Sequence, residues 1–223
     1  MFCLTVPTDA AWASHALADL DRVLIDHAHC ELKAATNAMS LVARYPDRME
    51  LALALTALAE EELDHFRRVL KEMQARGLTL GAPPVDPYAV QLRQAASKLP
   101  ARHDERLVFV DRLLVGALIE ARSCERFKIL GAALASAGRE PKLVDFYQEL
   151  FACEARHYRT YVDLAKHALV SDPRTREDSD ALDRLIEERL HALAVAEGCI
   201  VQELADGEQA RETAEPLRAT VHG

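Results

Sequence analysis

Long uncharged apolar stretches are missing from this 223-residue chain. No run reaches the roughly 18 residues a membrane-spanning helix requires, so a membrane protein is not expected. The opening MFCLTVPTDAAW has no basic start followed by an apolar block, which argues against a signal peptide and makes the cytoplasm the expected location. Glycine (8) and proline (9) are scarce and aromatics make up only 5%, while β-branched runs are nearly absent, leaving strands little to be built from. The 5 cysteines, Cys3, Cys30, Cys124, Cys153 and Cys199, are widely scattered and contain no CxxC. A disulfide framework, a zinc knuckle and a rubredoxin-type iron site are thereby disfavoured.

What is present in quantity is alanine and leucine at three- and four-residue spacing, the pattern of an almost wholly helical chain. An apolar half with 28% charged residues excludes a disordered chain, and the length suits one domain with its own core. The net charge of −9 is uneven: from Ser171 onward there are 13 acids and 6 bases, which accounts for −7 of it. The part before Ser171 is close to neutral, so a polyanionic partner stays open.

The first helical segment is expected from Thr8 or Asp9 to Arg44, broken near Ser14 and ended by Tyr45-Pro46. Asp47 is placed to cap a second helix lasting to about Arg76, with Gly77 as its terminator. The stretch Gly77 to Pro87 reads as a long irregular crossover, followed by a short helix over Tyr88 to Lys98. Further helices are expected over Asp104–Ser136, Pro141–Val170 and about Asp180–Ala205, with the residues from Gly207 frayed. The expected architecture is all-α: a four-helix bundle with one long crossover over residues 1–170, and a C-terminal amphipathic helix and tail over 171–223 packed on the same domain.

A faint internal duplication carries the chemistry. The first half offers Glu31 and then Glu62-Leu63-Asp64-His65; the second offers Glu120 and then Glu154-Ala155-Arg156-His157. Residues three apart on a helix face the same way, so each Glu-x-x-His presents an oxygen and a nitrogen to one point. Four carboxylates and two imidazoles from four helices are the donor set of a di-iron or di-manganese centre. Glu-x-x-His alone is weak, since 20 Glu and 9 His in this length supply about 0.8 matches by chance. The strength lies in two matches on apolar stripes, each preceded by another striped glutamate, because buried carboxylates are costly unless something pairs them. A third match, Glu188-Arg189-Leu190-His191, has charged neighbours in Glu187 and Arg189 and reads as solvated surface.

Glu61, Asp64 and Asp145 are candidate hydrogen-bond partners of the ligand histidines. His27 stands one turn before Glu31 and reads either as a partner of that ligand or as an ordinary satisfied histidine; His15, His29 and His103 read as non-ligands. Ala28, Ala34, Ala35, Gly116 and Ala117 lie beside the ligand positions, where Gly116 suggests close helix approach more than a substrate channel. Tyr147, Tyr158 and Tyr161 read equally as hydrogen-bonding groups near the site and as core packing.

The string Ile119-Glu120-Ala121-Arg122-Ser123-Cys124-Glu125-Arg126-Phe127, with Asp86-Pro87-Tyr88-Ala89 and the two histidine motifs, resembles the bacterial tRNA 2-methylthio-N6-isopentenyladenosine hydroxylase family over about Phe2 to His167. Cys153 departs from it, standing where an acid is common. The resemblance implies a ferritin-like monooxygenase in which Glu31, Glu62, His65, Glu120, Glu154 and His157 ligate two iron ions and O2 is co-substrate. It implies hydroxylation of the isopentenyl group on the adenosine beside the anticodon, with the tRNA anticodon stem-loop as partner. No flavin or nicotinamide fingerprint is visible, so electrons are expected from an external ferredoxin-type donor or reductase. The oligomeric state is left open, a monomer included.

Arg44, Arg48, Arg67, Arg68, Lys71, Arg76, Lys98, Arg102, Arg139 and Lys142 are the basic candidates for holding RNA. The competing readings are a di-iron hydroxylase of a small lipid or quinone, and a non-catalytic ferritin-like iron-binding protein.

Overall fold

The computed structural model describes residues 2–219 and contains, among them, helices and no strand. The helices are α1 (Trp12–Ala18), α2 (Leu20–Arg44), α3 (Met49–Ala75), α4 (Pro87–Ala96), α5 (Glu105–Ser136), α6 (Pro141–Val170) and α7 (Ser179–Ala219). The break in the first segment falls at Asp19, not at Ser14 as expected. Asp19 leaves helical geometry and its side chain accepts from the Arg22 N–H at 3.1 Å, capping α2. Arg48, not Asp47, holds the cap position of α3, and it offers no side-chain hydrogen bond there.

The glycine stop worked as expected. Gly77 takes φ +70, and the Leu78 N–H reaches back to the Met73 carbonyl at 2.9 Å, a turn that a side chain at residue 77 would strain. Asp86 caps α4 through the Ala89 N–H at 3.1 Å, and Pro87 occupies the first turn. α6 has the expected limits. α7 outruns its expected end at Ala205 and continues through Gly207 to Ala219. A single glycine costs a helix only about 1 kcal/mol, and the alanine, glutamate, glutamine and arginine that follow it are strong helix formers. The last four residues of the expected tail, 220–223, lie outside the described residues.

The chain divides into two compact units. One comprises residues 10–85 and 127–153, the other the rest of the described chain. In the first, α2 and α3 pack against each other. Its core joins Leu20, Leu24 and Ala28 of α2, Val69 and Met73 of α3, Leu130 and Leu134 of α5, and Leu143, Phe146, Tyr147 and Leu150 of α6. Each large side chain so buried contributes about 1.5–3 kcal/mol relative to exposure. At its edge Arg76 reaches Glu72 at 2.9 Å and Glu140 at 2.8 Å, which ties α3 to the turn before α6.

In the second unit α4 packs on α7. Arg189 of α7 grips Asp111 of α5 with two bonds of 2.7 and 2.6 Å. Arg122 of α5 donates to both oxygens of Glu197 on α7 at 2.8 Å each, to Glu125 at 2.5 Å and to the Val6 carbonyl at 2.9 Å. Tyr88 of α4 donates to Glu197 at 3.0 Å, and Thr8 donates to Glu125 through N–H and hydroxyl. The segment before α1 thus lies along α5 and α7. A Cβ on Gly198 would come within 2.7 Å of the Val6 side chain, so only glycine fits that approach.

Candidate metal centre

Each unit assembles one Glu, Glu, His triad. In the first, α2 supplies Glu31 while α3 supplies Glu62 and His65, and one donor atom of each lies within 4.8 Å of the others. His65 Nδ1 stands 3.6 Å from Glu31 Oε2 and 3.7 Å from Glu62 Oε2. In the second, α5 supplies Glu120 while α6 supplies Glu154 and His157, again with donor atoms inside 4.8 Å. His157 Nδ1 lies 4.0 Å from Glu120 Oε2. All six side chains are buried, at 1% to 4% exposure. The three-residue spacing puts carboxylate and imidazole on one helical stripe, and the partner helix adds the second carboxylate.

The electrostatics of the first triad are those of anions without water. Burial works against ionisation of Glu31, yet hydrogen bonds shared with Glu62, His27 and His65 hold its carboxyl well below the usual range. Burial likewise opposes a charged His65, but the carboxylates of Glu31 and Glu62 outweigh it and raise the imidazole to about 11. With no metal bound, the ring proton of His65 answers the two carboxylates, and a metal cation bound there would take that proton's place. The donors are hard oxygens and imidazole nitrogens, the set that suits iron or manganese, with no thiolate among the six. The chemistry of the residues therefore fits iron.

Around the triads, some expectations hold and others fail. Glu188 and His191 are exposed, but Arg189 beside them is buried in its pair with Asp111 instead of solvated. Glu61, Asp64 and Asp145 are all exposed, and Asp64 is engaged by Arg67 at 2.8 Å. Residues next to a buried helical position point about 100° away from it, which is why these acids face solvent. His27 is the partner that sequence reasoning left undecided: its Nε2 lies 2.5 Å from Glu31 Oε1. His29 is buried and bonds the Leu80 carbonyl at 3.0 Å, whereas His15 and His103 are exposed.

Gly116 proves to be a close approach, since a Cβ there would meet the Tyr161 ring at 2.8 Å. Tyr147 bonds toward His27 at 3.4 Å, and Tyr158 packs on Phe2 with centroids 4.6 Å apart. The role of Arg122 as a buried anchor was missed. Its sequence signal was Glu125 three residues on, a spacing that lets the two charges pair along α5.

Several RNA candidates are already engaged. Arg67 pairs with Asp64, Arg68 with Glu149 and Arg76 with Glu72 and Glu140, while Arg139 donates to the Leu17 carbonyl. Arg44, Lys71, Lys98, Arg102 and Lys142 are exposed. No helix among the described residues is long and apolar enough to cross a membrane.

Residues 1–207 match the family model described as tRNA-(MS[2]IO[6]A)-hydroxylase (MiaE). The chain is 44% identical over 162 residues to the tRNA 2-(methylsulfanyl)-N(6)-isopentenyladenosine(37) hydroxylase of Pseudomonas putida, covering 73% of this chain and 74% of that protein. It is 31% identical over 218 residues to the enzyme of the same name from Salmonella typhimurium, covering 76% and 77%. Among solved structures it is similar to a protein with aldehyde deformylating oxygenase activity from Synechococcus, with a TM-score of 0.72 and 38% identity over 88% of each chain. The chain therefore has the ferritin-like all-α fold and belongs to the tRNA-(MS[2]IO[6]A)-hydroxylase (MiaE) family.

Proposed function

We propose that this protein is an O2-dependent hydroxylase of tRNA, acting on the isopentenyl group of 2-methylthio-N6-isopentenyladenosine beside the anticodon. The observation that carries the reading is a pair of buried Glu, Glu, His triads in a chain that matches this family along nearly its whole length. Glu31, Glu62 and His65 would hold one iron ion and Glu120, Glu154 and His157 a second. Iron held by these residues would supply the oxidising chemistry, in which O2, two external electrons and two protons would yield one oxygen atom inserted into a C–H bond and one molecule of water.

The residues of the chain do the rest. The carboxylates would neutralise the cations, and each imidazole would add a nitrogen donor. The apolar residues flanking the triads keep bulk water from a reactive centre. The exposed Arg44, Lys71, Lys98, Arg102 and Lys142 are basic candidates for phosphates of the anticodon stem-loop. A separate reductase or ferredoxin-type protein would supply electrons, and the cytoplasm is where tRNA and such donors meet.

The test is mass spectrometry of tRNA nucleosides from cells with and without the gene, together with iron quantification on the purified protein. Loss of the hydroxylated nucleoside on deletion, with its 2-methylthio precursor accumulating, is expected. An unchanged hydroxylated nucleoside overturns the reading, and turnover of a lipid, quinone or aldehyde in its place would assign the centre to another substrate.

A further inference from the structure

The two oxygens of Glu31 have different surroundings. Oε1 lies 2.5 Å from His27 Nε2, one turn earlier on α2, whereas Oε2 faces His65 Nδ1 at 3.6 Å. A carboxylate only accepts hydrogen bonds, so Nε2 of His27 carries the proton and donates it. The other ring nitrogen, Nδ1, lies 3.4 Å from the Tyr147 hydroxyl. The ring itself is boxed by Phe127, Tyr147 and Phe146, with centroids 4.8, 5.5 and 5.9 Å away. His27 is buried and Tyr147 fully so. The imidazole cannot swing off Glu31 without opening this packed aromatic cluster.

In the second half of the duplication the position matching His27 is a glycine. Four residues before Glu120 stands Gly116, and the Tyr161 ring fills the space where its side chain would be. That position has no side chain with which to donate to Glu120.

We propose that His27 is a positioning residue that occupies Oε1 of Glu31, so that this glutamate binds its iron ion through Oε2 alone, and that the two metal positions are for this reason unequal. The inference rests on the reading of the triads as iron ligands given above.

The experiment titrates the full-length protein with Fe(II) under argon, and with Co(II) while its visible absorption is followed. Wild type is expected to take two ions. His27→Ala should lose about 10- to 100-fold in affinity for one ion only, with an altered Co(II) spectrum as Glu31 gains a second free oxygen. His27→Gln keeps an N–H donor and should restore most of the affinity and the spectrum. Circular dichroism establishes that each variant is folded. Wild-type binding by folded His27→Ala, or equal impairment of His27→Ala and His27→Gln, overturns the proposal. Should His27→Ala not fold, Tyr147→Phe decides: a smaller loss at the same single ion supports the proposal, and wild-type titration overturns it. Failure of the wild-type protein itself to bind either metal would instead refute the iron reading.

Discussion

Arg122 holds both oxygens of Glu197 at 2.8 Å, joining α5 to α7 through a guanidinium and a carboxylate that are almost wholly withdrawn from solvent. Glu197 is 0% exposed, and Arg122 also serves Glu125 and the Val6 carbonyl. Removing one partner from such a pair leaves an uncompensated buried charge. Arg122→Ala should therefore cost about 3–5 kcal/mol in urea unfolding. Replacing both partners with apolar residues, as in Arg122→Met with Glu197→Leu, should recover much of that loss. Equal instability of the single and double variants would show that the pair is not what matters.

Gly116→Ala sets two effects against each other. Alanine gains about 1 kcal/mol in helix propensity, but its methyl would sit 2.8 Å from the Tyr161 ring, which is 1% exposed and has little room to move. Overpacking of this kind costs about 1–3 kcal/mol, so a lowered Tm is expected. Adding Tyr161→Leu should relieve part of it. A raised Tm for Gly116→Ala alone would contradict the packing described.

Metal content separates the triads from their look-alike. Glu62→Ala and His157→Ala are each expected to empty or weaken one of two iron positions, read by elemental analysis of the purified protein. Glu188→Ala and His191→Ala, both on the exposed face of α7, should leave the iron content unchanged. Iron loss in the α7 variants would move the site.

Acid stability should follow Asp172. Hydrogen bonds from Arg174, at 2.9 Å from Nε and from Nη2, hold its carboxyl well below the usual range. The folded pKa is thus lower than the unfolded one. The stabilisation is complete above the ordinary carboxylate pKa of about 4 and is lost as pH falls through the lowered value. Asp172→Asn should flatten the acid limb of the stability curve and leave the neutral region little changed in slope. The effect should shrink in salt, because Arg174 is itself largely exposed. An acid limb as steep as that of wild type would rule this group out.

How much of this was legible beforehand depended on what each residue answers to. Helix limits set by local chemistry were readable: Gly77, Pro87 and Pro141 act on their own neighbours. The triad members were readable as well, because helical period alone places Glu62 beside His65. The break at Asp19 was harder, since Ser14 and Asp19 both carry capping oxygens and tertiary packing chooses between them. His27 could not be decided from spacing, which allows a bond to Glu31 but does not require it; the aromatic box that enforces it comes from α5 and α6. Arg122 was opaque for the same reason, as its partners lie 75 and 116 residues away in the chain.

The hydroxyl of Thr5 bonds the Ala194 carbonyl, 189 positions along the chain. During synthesis Thr5 leaves the ribosome long before Ala194 is added, so this clasp cannot form until α7 is being made. Premature termination upstream of α7 would leave the segment around Thr5 without its anchorage, and truncated products should be recognisable by early proteolysis there.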